Sequence, residues 1–64
     1  MSFGQNLFKV RKRKQLTQQQ VANSIHIERS TYTKWENDSY EPTFKYVKVL
    51  ASFYGVDFNF LFSD

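Results

Sequence analysis

Residues 16–36, LTQQQVANSIHIERSTYTKWE, decide the fold. Thr17 and Gln20 have the spacing of a capping box, with Leu16 and Val21 at the positions of a hydrophobic staple, so a helix starts here. It buries Val21, Ala22 and Ile25. His26 then falls where a short helix must end in a left-handed residue. Glycine is preferred there, but histidine tolerates positive φ. A second short helix follows, with Ile27 and Tyr32 bracketing Glu28 as a staple, and it ends near Asn37. Glu28 is a poor N-cap by side chain, although its charge suits a helix N-terminus. On a wheel of 100° per residue, Arg29, Ser30, Thr33, Lys34 and Asn37 share one arc, and Thr31, Tyr32 and Trp35 lie opposite. Short polar donors interleaved with two cations and backed by an aromatic anchor suit a helix that reads base edges in a DNA major groove.

Working outward, capping chemistry marks three more helices. Ser2 with Gln5 opens a first helix running to about Lys14, with an apolar stripe of Phe3, Leu7 and Val10 and with Phe8 at its flank. Asn37-Asp38-Ser39-Tyr40-Glu41-Pro42 is rich in turn formers. Thr43 caps a fourth helix that turns Val47, Leu50, Ala51 and Tyr54 to one side and closes at Gly55. Asp57 caps a short last helix, with Val56 and Leu61 as its staple. No segment alternates as a strand would. The expectation is an all-α fold of five helices in a single domain over residues 1–64, with a helix-turn-helix at about 17–37.

Sixty-four residues are near the lower limit for folding alone, and seven Phe, four Tyr and one Trp offset the small size. Without cysteine there is neither a disulfide framework nor a thiolate metal site. No long apolar run or leader pattern occurs, so a cytoplasmic protein, nucleoid-associated when bound to DNA, is expected. The net charge is only +3, but its distribution is uneven. Residues 1–27 carry Lys9, Arg11, Lys12, Arg13 and Lys14 and no acid. Such a region favours a polyanion, and nucleic acid over a membrane surface, which would want a longer amphipathic helix with apolar anchors opposite the cations. The run alone fits a solvated helix end equally well.

LTQQQVANSIHIERSTYTKWEN, followed by a proline and by FYGVDFNFLF, resembles the Cro/CI-type (XRE-like) helix-turn-helix domain of phage repressors and related bacterial regulators. The likeness covers about Phe3 to Phe62, with Leu-Thr-Gln, Ser-Thr, Lys-Trp-Glu and Gly-Val-Asp in register. The resemblance implies that Gln18 bonds a phosphate and supports the first reading residue. It places Arg29 and Ser30 at the first reading positions, with Thr33 and Lys34 one turn on. Arg11 and Glu36 match a structural salt bridge, which removes Arg11 from the free phosphate binders. Asn37 matches a phosphate contact after the reading helix. Thr17, Lys12 and Lys14 are further phosphate candidates. Two residues depart from the family pattern: His26 stands for the usual turn glycine, and Glu28 for the usual serine before the reading helix. A carboxylate at 28 supports the helix start, accepts from a cytosine amino group, or orients Arg29.

Arg29 is expected to pair with guanine O6 and N7, the alternative being a phosphate contact alone. Lys34 suits base or phosphate equally, and Thr33 offers a methyl to thymine or merely fills the surface. Tyr32 and Trp35 are core anchors, and His26 has no second ligand for a metal. In the last helix Phe58, Leu61 and Phe62 are expected to pack inward and Phe60 outward, which makes Phe60 a dimer candidate, since the family commonly pairs through its C-terminal end. The expected partners are a palindromic double-stranded operator and a second copy of the chain on DNA, with no cofactor, metal or membrane. A protein-interaction or antitoxin-like module is the competing reading. An enzyme is disfavoured by one histidine, no cysteine, no Gly-rich phosphate loop and no paired carboxylates. Ending just after the fifth helix suits either a whole small regulator or the reading head of a longer one.

Overall fold

Ser2 opens the first helix as anticipated. Its hydroxyl accepts from the Gln5 N–H while the Gln5 side chain accepts from the Ser2 N–H, and α1 runs Phe3–Arg13. A computed structural model describes residues 2–64. Thr17 and Gln20 repeat the capping box at the start of α2, Gln18–Ser24. Glu28 precedes α3, Arg29–Glu36, with no side-chain cap bond. Thr43 likewise stands at the N-cap of α4, Phe44–Tyr54, without using its hydroxyl. Gly55 closes α4 in the left-handed region, at φ 67°.

His26 takes φ 62°, the left-handed turn that the spacing between α2 and α3 requires. Gln15 and Asp38 do the same at φ 59° and 63°, at the ends of α1 and α3, where short helices exit into their next segment. The fold is helical throughout the described residues but has four α-helices, not five. The last element is a 3-10 helix, Phe58–Phe62, capped by the Asp57 carboxylate, which accepts from the Asn59 N–H at 2.7 Å. This changes which phenylalanine faces out. A 3-10 helix turns about 120° per residue, so side chains three apart eclipse. Phe58 and Leu61 therefore align inward and Phe62 follows Asn59 outward. Leu61 is fully buried, Phe62 is 49 % exposed, and Phe60 packs partly against the core. The expectation of Phe62 in and Phe60 out, which rested on an α-helical period, is corrected.

The core gathers one stripe from each helix: Phe3, Leu7 and Val10, then Val21, Ala22 and Ile25, Tyr32 and Trp35, and Val47, Leu50, Ala51 and Tyr54, with Leu61 as the plug. Helix α3 lies between α1 and α2, and the 3-10 helix bridges α1 and α4. Among the described residues, every buried side-chain polar atom has a hydrogen-bond partner. Tyr32 and Tyr54 share a hydroxyl hydrogen bond of 2.6 Å, and burial pushes the Tyr54 hydroxyl up to about 12, so it stays protonated at neutral pH. Asn6, on the apolar side of α1, donates to the carbonyls of Leu61 and Ser63 at 3.0 and 2.8 Å and supplies the partners the chain end would lack.

Candidate nucleic-acid interface

The rear of α3 is clamped. Arg11 Nε donates to Glu36 Oε2 at 2.6 Å and its Nη2 to Oε1 at 3.1 Å, a two-pronged contact, while Nη1 holds the Leu16 carbonyl at 2.9 Å. Burial opposes the charge on Glu36, but the Arg11 bond, helped by Tyr32 and Gln18, holds its carboxyl below the usual value. The Glu36 hydrogen bond correspondingly raises Arg11. Gln18 extends the clamp across the turn. Its Nε2 donates to Glu36 Oε1 at 3.1 Å, and its Oε1 accepts from the Thr33 hydroxyl at 2.9 Å. One glutamine thus fixes the start of α2 against the last turn of α3.

A second clamp is made by Asp38. Its left-handed backbone brings the carboxylate back to α1, where it accepts from the Ser2 hydroxyl at 2.6 Å and the Gly4 N–H at 2.9 Å. Gly4 permits this closeness: a Cβ there would stand 2.8 Å from the Trp35 carbonyl oxygen and nearer still to that of Glu36. Trp35 is held from the other side by Tyr46, with ring centroids 5.5 Å apart.

The front of α3 is free by contrast. Arg29, at its first position, and Ser30 beside it are exposed. The only salt bridge found among the described residues is that of Arg11 with Glu36, so Glu28 does not hold the Arg29 guanidinium. Arg29 lines a groove of about 550 Å³ with Lys12, Thr17, Gln18 and Gln19, floored by Arg11 and Leu16. Lys12, Thr17, Gln18 and Arg29, singled out from sequence, are therefore gathered at one place. Lys34, Asn37 and Lys14 are exposed outside that groove. The Lys34 ammonium lies 5.4 Å from the Tyr40 ring centroid, and the Asn37 side-chain oxygen accepts from the Ser39 N–H at 3.0 Å. The Thr17 hydroxyl accepts its capping bond and still has its own proton to donate.

Three contributors went unnoticed in the sequence: Asp38, Gly4 and Asn6. Asn6 had a signal, since it sits one residue before Leu7 on the buried side of α1, where a polar residue must find partners. Asp38 and Gly4 had none beyond a turn-rich context and a glycine inside a helix.

The helix-turn-helix family signature matches residues 7–61. The chain is 39 % identical over 59 residues to the uncharacterized HTH-type transcriptional regulator YqaE of Bacillus subtilis (strain 168), covering 92 % of this chain and 51 % of that protein. It is 36 % identical over 62 residues to the cryptic phage CTXphi transcriptional repressor RstR of Vibrio cholerae, covering 97 % and 56 %. With the HTH-type transcriptional activator BcrR of Enterococcus faecalis it shares 32 % over 63 residues, 98 % of this chain but 31 % of that one. The chain thus spans about half the length of YqaE and RstR and about a third of BcrR. With that signature match over most of its length, and relatives named as HTH-type transcriptional regulators, the chain belongs to the helix-turn-helix family.

Proposed function

We propose that this chain reads double-stranded DNA by laying α3 in the major groove, with Arg29 as the principal base-reading residue. The observation that carries this reading is the asymmetry of α3: a rear held by Arg11, Gln18 and Glu36, and an exposed N-terminal end whose arginine has no carboxylate partner among the described residues. A guanidinium positioned but unpaired is what bidentate recognition of guanine needs. Ser30 reads beside it. Lys34 serves base or phosphate one turn on, and Thr33, its hydroxyl given to Gln18, contributes its methyl. Lys12, Thr17, the start of α2 at Gln18, Lys14 and Asn37 hold phosphates and set the register.

The domain binds as a two-fold dimer on a palindromic operator, with reading helices about 34 Å apart. The pairing contact is Phe62 in place of Phe60, since Phe62 is the exposed ring of the 3-10 helix. Repression is the proposed outcome, because occupancy of an operator suffices to block access to it.

Selection of sites from a random duplex pool, followed by footprinting at two salt concentrations, tests this reading. Arg29→Ala should weaken the selected site by about 1–3 kcal/mol and relax preference at one base pair per half-site, with little effect on random DNA. Equal loss on both would remove Arg29 from base reading. Log affinity should fall by roughly 0.9 per phosphate contact for each decade of salt, and a response near zero would favour a protein partner over DNA. The footprint should cover two half-sites one turn apart and weaken in Phe62→Glu; protection of a single half-site would end the dimer assignment.

A further inference from the structure

The outward face of α4 takes part in none of the contacts above. Phe44, Lys45, Lys48, Val49, Ser52 and Phe53 follow the spacing of one helical face and line a shallow groove of about 660 Å³. The opposite face, Val47, Leu50, Ala51 and Tyr54, is already buried in the core. A surface helix ordinarily turns a polar side to water; α4 instead leaves Phe44 67 % and Phe53 37 % exposed. Two cations stand on this face and no acid lines it. The Lys48 ammonium lies 5.4 Å from the Phe44 ring centroid, and that of Lys45 lies 5.7 Å from Tyr46, so both rest along aromatic surface, with no carboxylate partner among the described residues.

We propose that this groove docks an acidic amphipathic helix of a partner protein. Its apolar side chains would rest on Phe44, Val49 and Phe53 and its carboxylates would reach Lys45 and Lys48. From position 44 to 53 the groove is about 13 Å long, enough for two to three turns of a docked helix. The charge pattern argues against a second copy of this chain. Two-fold pairing of the face with itself would set its lysines against their own kind. The chain's own acids offer no acidic stripe: Glu36 is bound to Arg11, Asp38 to Ser2 and Gly4, Asp57 caps the 3-10 helix, and the exposed Glu28, Glu41 and Asp64 stand singly on three separate segments, none of them on a helical face. The groove shares no lining residue with the one beside Arg29, so the proposal stands independently of DNA reading.

The test titrates the full, nitrogen-15-labelled chain with a synthetic helical peptide that carries leucines along one stripe and glutamates on both flanks. Two control peptides carry lysine for each glutamate, or the same residues scrambled. Amide shifts centred on residues 44–53 are expected with the acidic peptide alone. Affinity should fall about tenfold in the exposed double variant Lys45→Glu with Lys48→Glu, and fall again in Phe53→Ser. Affinity for the selected DNA site should stay unchanged in both. Shifts centred elsewhere, none at millimolar peptide, or equal binding of the controls would overturn the proposal. So would loss of DNA affinity in the double variant, preferential binding to anionic phosphatidylserine vesicles, or self-association that Phe53→Ser abolishes. If the double variant fails to fold, the charge-reversed peptide decides alone.

Discussion

Helices α3 and α4 are both short, both amphipathic, and both anchored in the same core by a buried aromatic, yet they offer water opposite surfaces. Outside, α3 shows Arg29, Ser30 and Lys34; α4 shows Phe44, Val49 and Phe53 between two lysines. The difference extends to how each is held. Charge-assisted bonds from Arg11 and Gln18 fix the rear of α3, whereas α4 is held by apolar packing and the Tyr54 hydroxyl. A helix that must present a long cation at a defined place benefits from directional bonds behind it, because small rotations would move the guanidinium off a base edge. A helix whose outer face is apolar has no such requirement, since dispersion contacts tolerate displacement.

The contrast is most easily broken at Glu36. Replacing it by alanine leaves the largely buried Arg11 without its partner, and Gln18 without one of its two. A loss of about 3–5 kcal/mol in urea unfolding is expected, enough to unfold much of so small a domain. Acid reports the same bond. Because folding holds the Glu36 carboxyl below its usual value near 4.5, its contribution is fully present above that pH and disappears as pH falls through the lowered value. Whatever Glu36→Ala protein remains folded should have lost that part of the acid dependence; an unchanged profile would mean that other carboxylates dominate.

Gly4→Ala should have the next largest effect. The added methyl meets the carbonyls at the end of α3, and separating α1 from α3 should cost about 1–3 kcal/mol of overpacking. Amide exchange in the last turn of α3 should speed up before that of α4; uniform acceleration would show that the two helices are less independent than their contacts imply. The smallest effect sharpens the comparison from the other side. Phe44→Ser should change stability by no more than about 1 kcal/mol, since its ring is mostly in water and its aromatic contact is with Phe58, at 5.3 Å between centroids. A larger loss would make the aromatic face of α4 part of the fold and not a surface kept for a partner.

Much of α3 and its surroundings was legible in the sequence because helix starts are local. Ser2 with Gln5 and Thr17 with Gln20 satisfy their own N–H groups within one turn, and Asp57 caps within two residues. His26 was legible for the same reason, since a short turn between two helices demands one left-handed residue. The last element misled because an α-helix and a 3-10 helix share a start signal and differ only in hydrogen-bond register. Three residues per turn in place of 3.6 were enough to exchange the roles of Phe60 and Phe62.

By itself, the sequence determined where helices begin, which stripe of each is apolar, and which arc of α3 carries donors and cations. Each of these depends on residues within a turn or two of one another. Only the tertiary structure decided what those elements are tied to. Asp38 reaches Ser2 and Gly4, Asn6 reaches Leu61 and Ser63, and Gln18 divides its amide between Thr33 and Glu36. Such bonds join residues 15 to 57 positions apart, and local propensity carries no information about a partner that only packing brings near. The same holds for α4. Its sequence places Val47, Leu50, Ala51 and Tyr54 on one side, which is the side buried, and only the packed core shows that nothing covers Phe44 and Phe53 across the helix, where both face water.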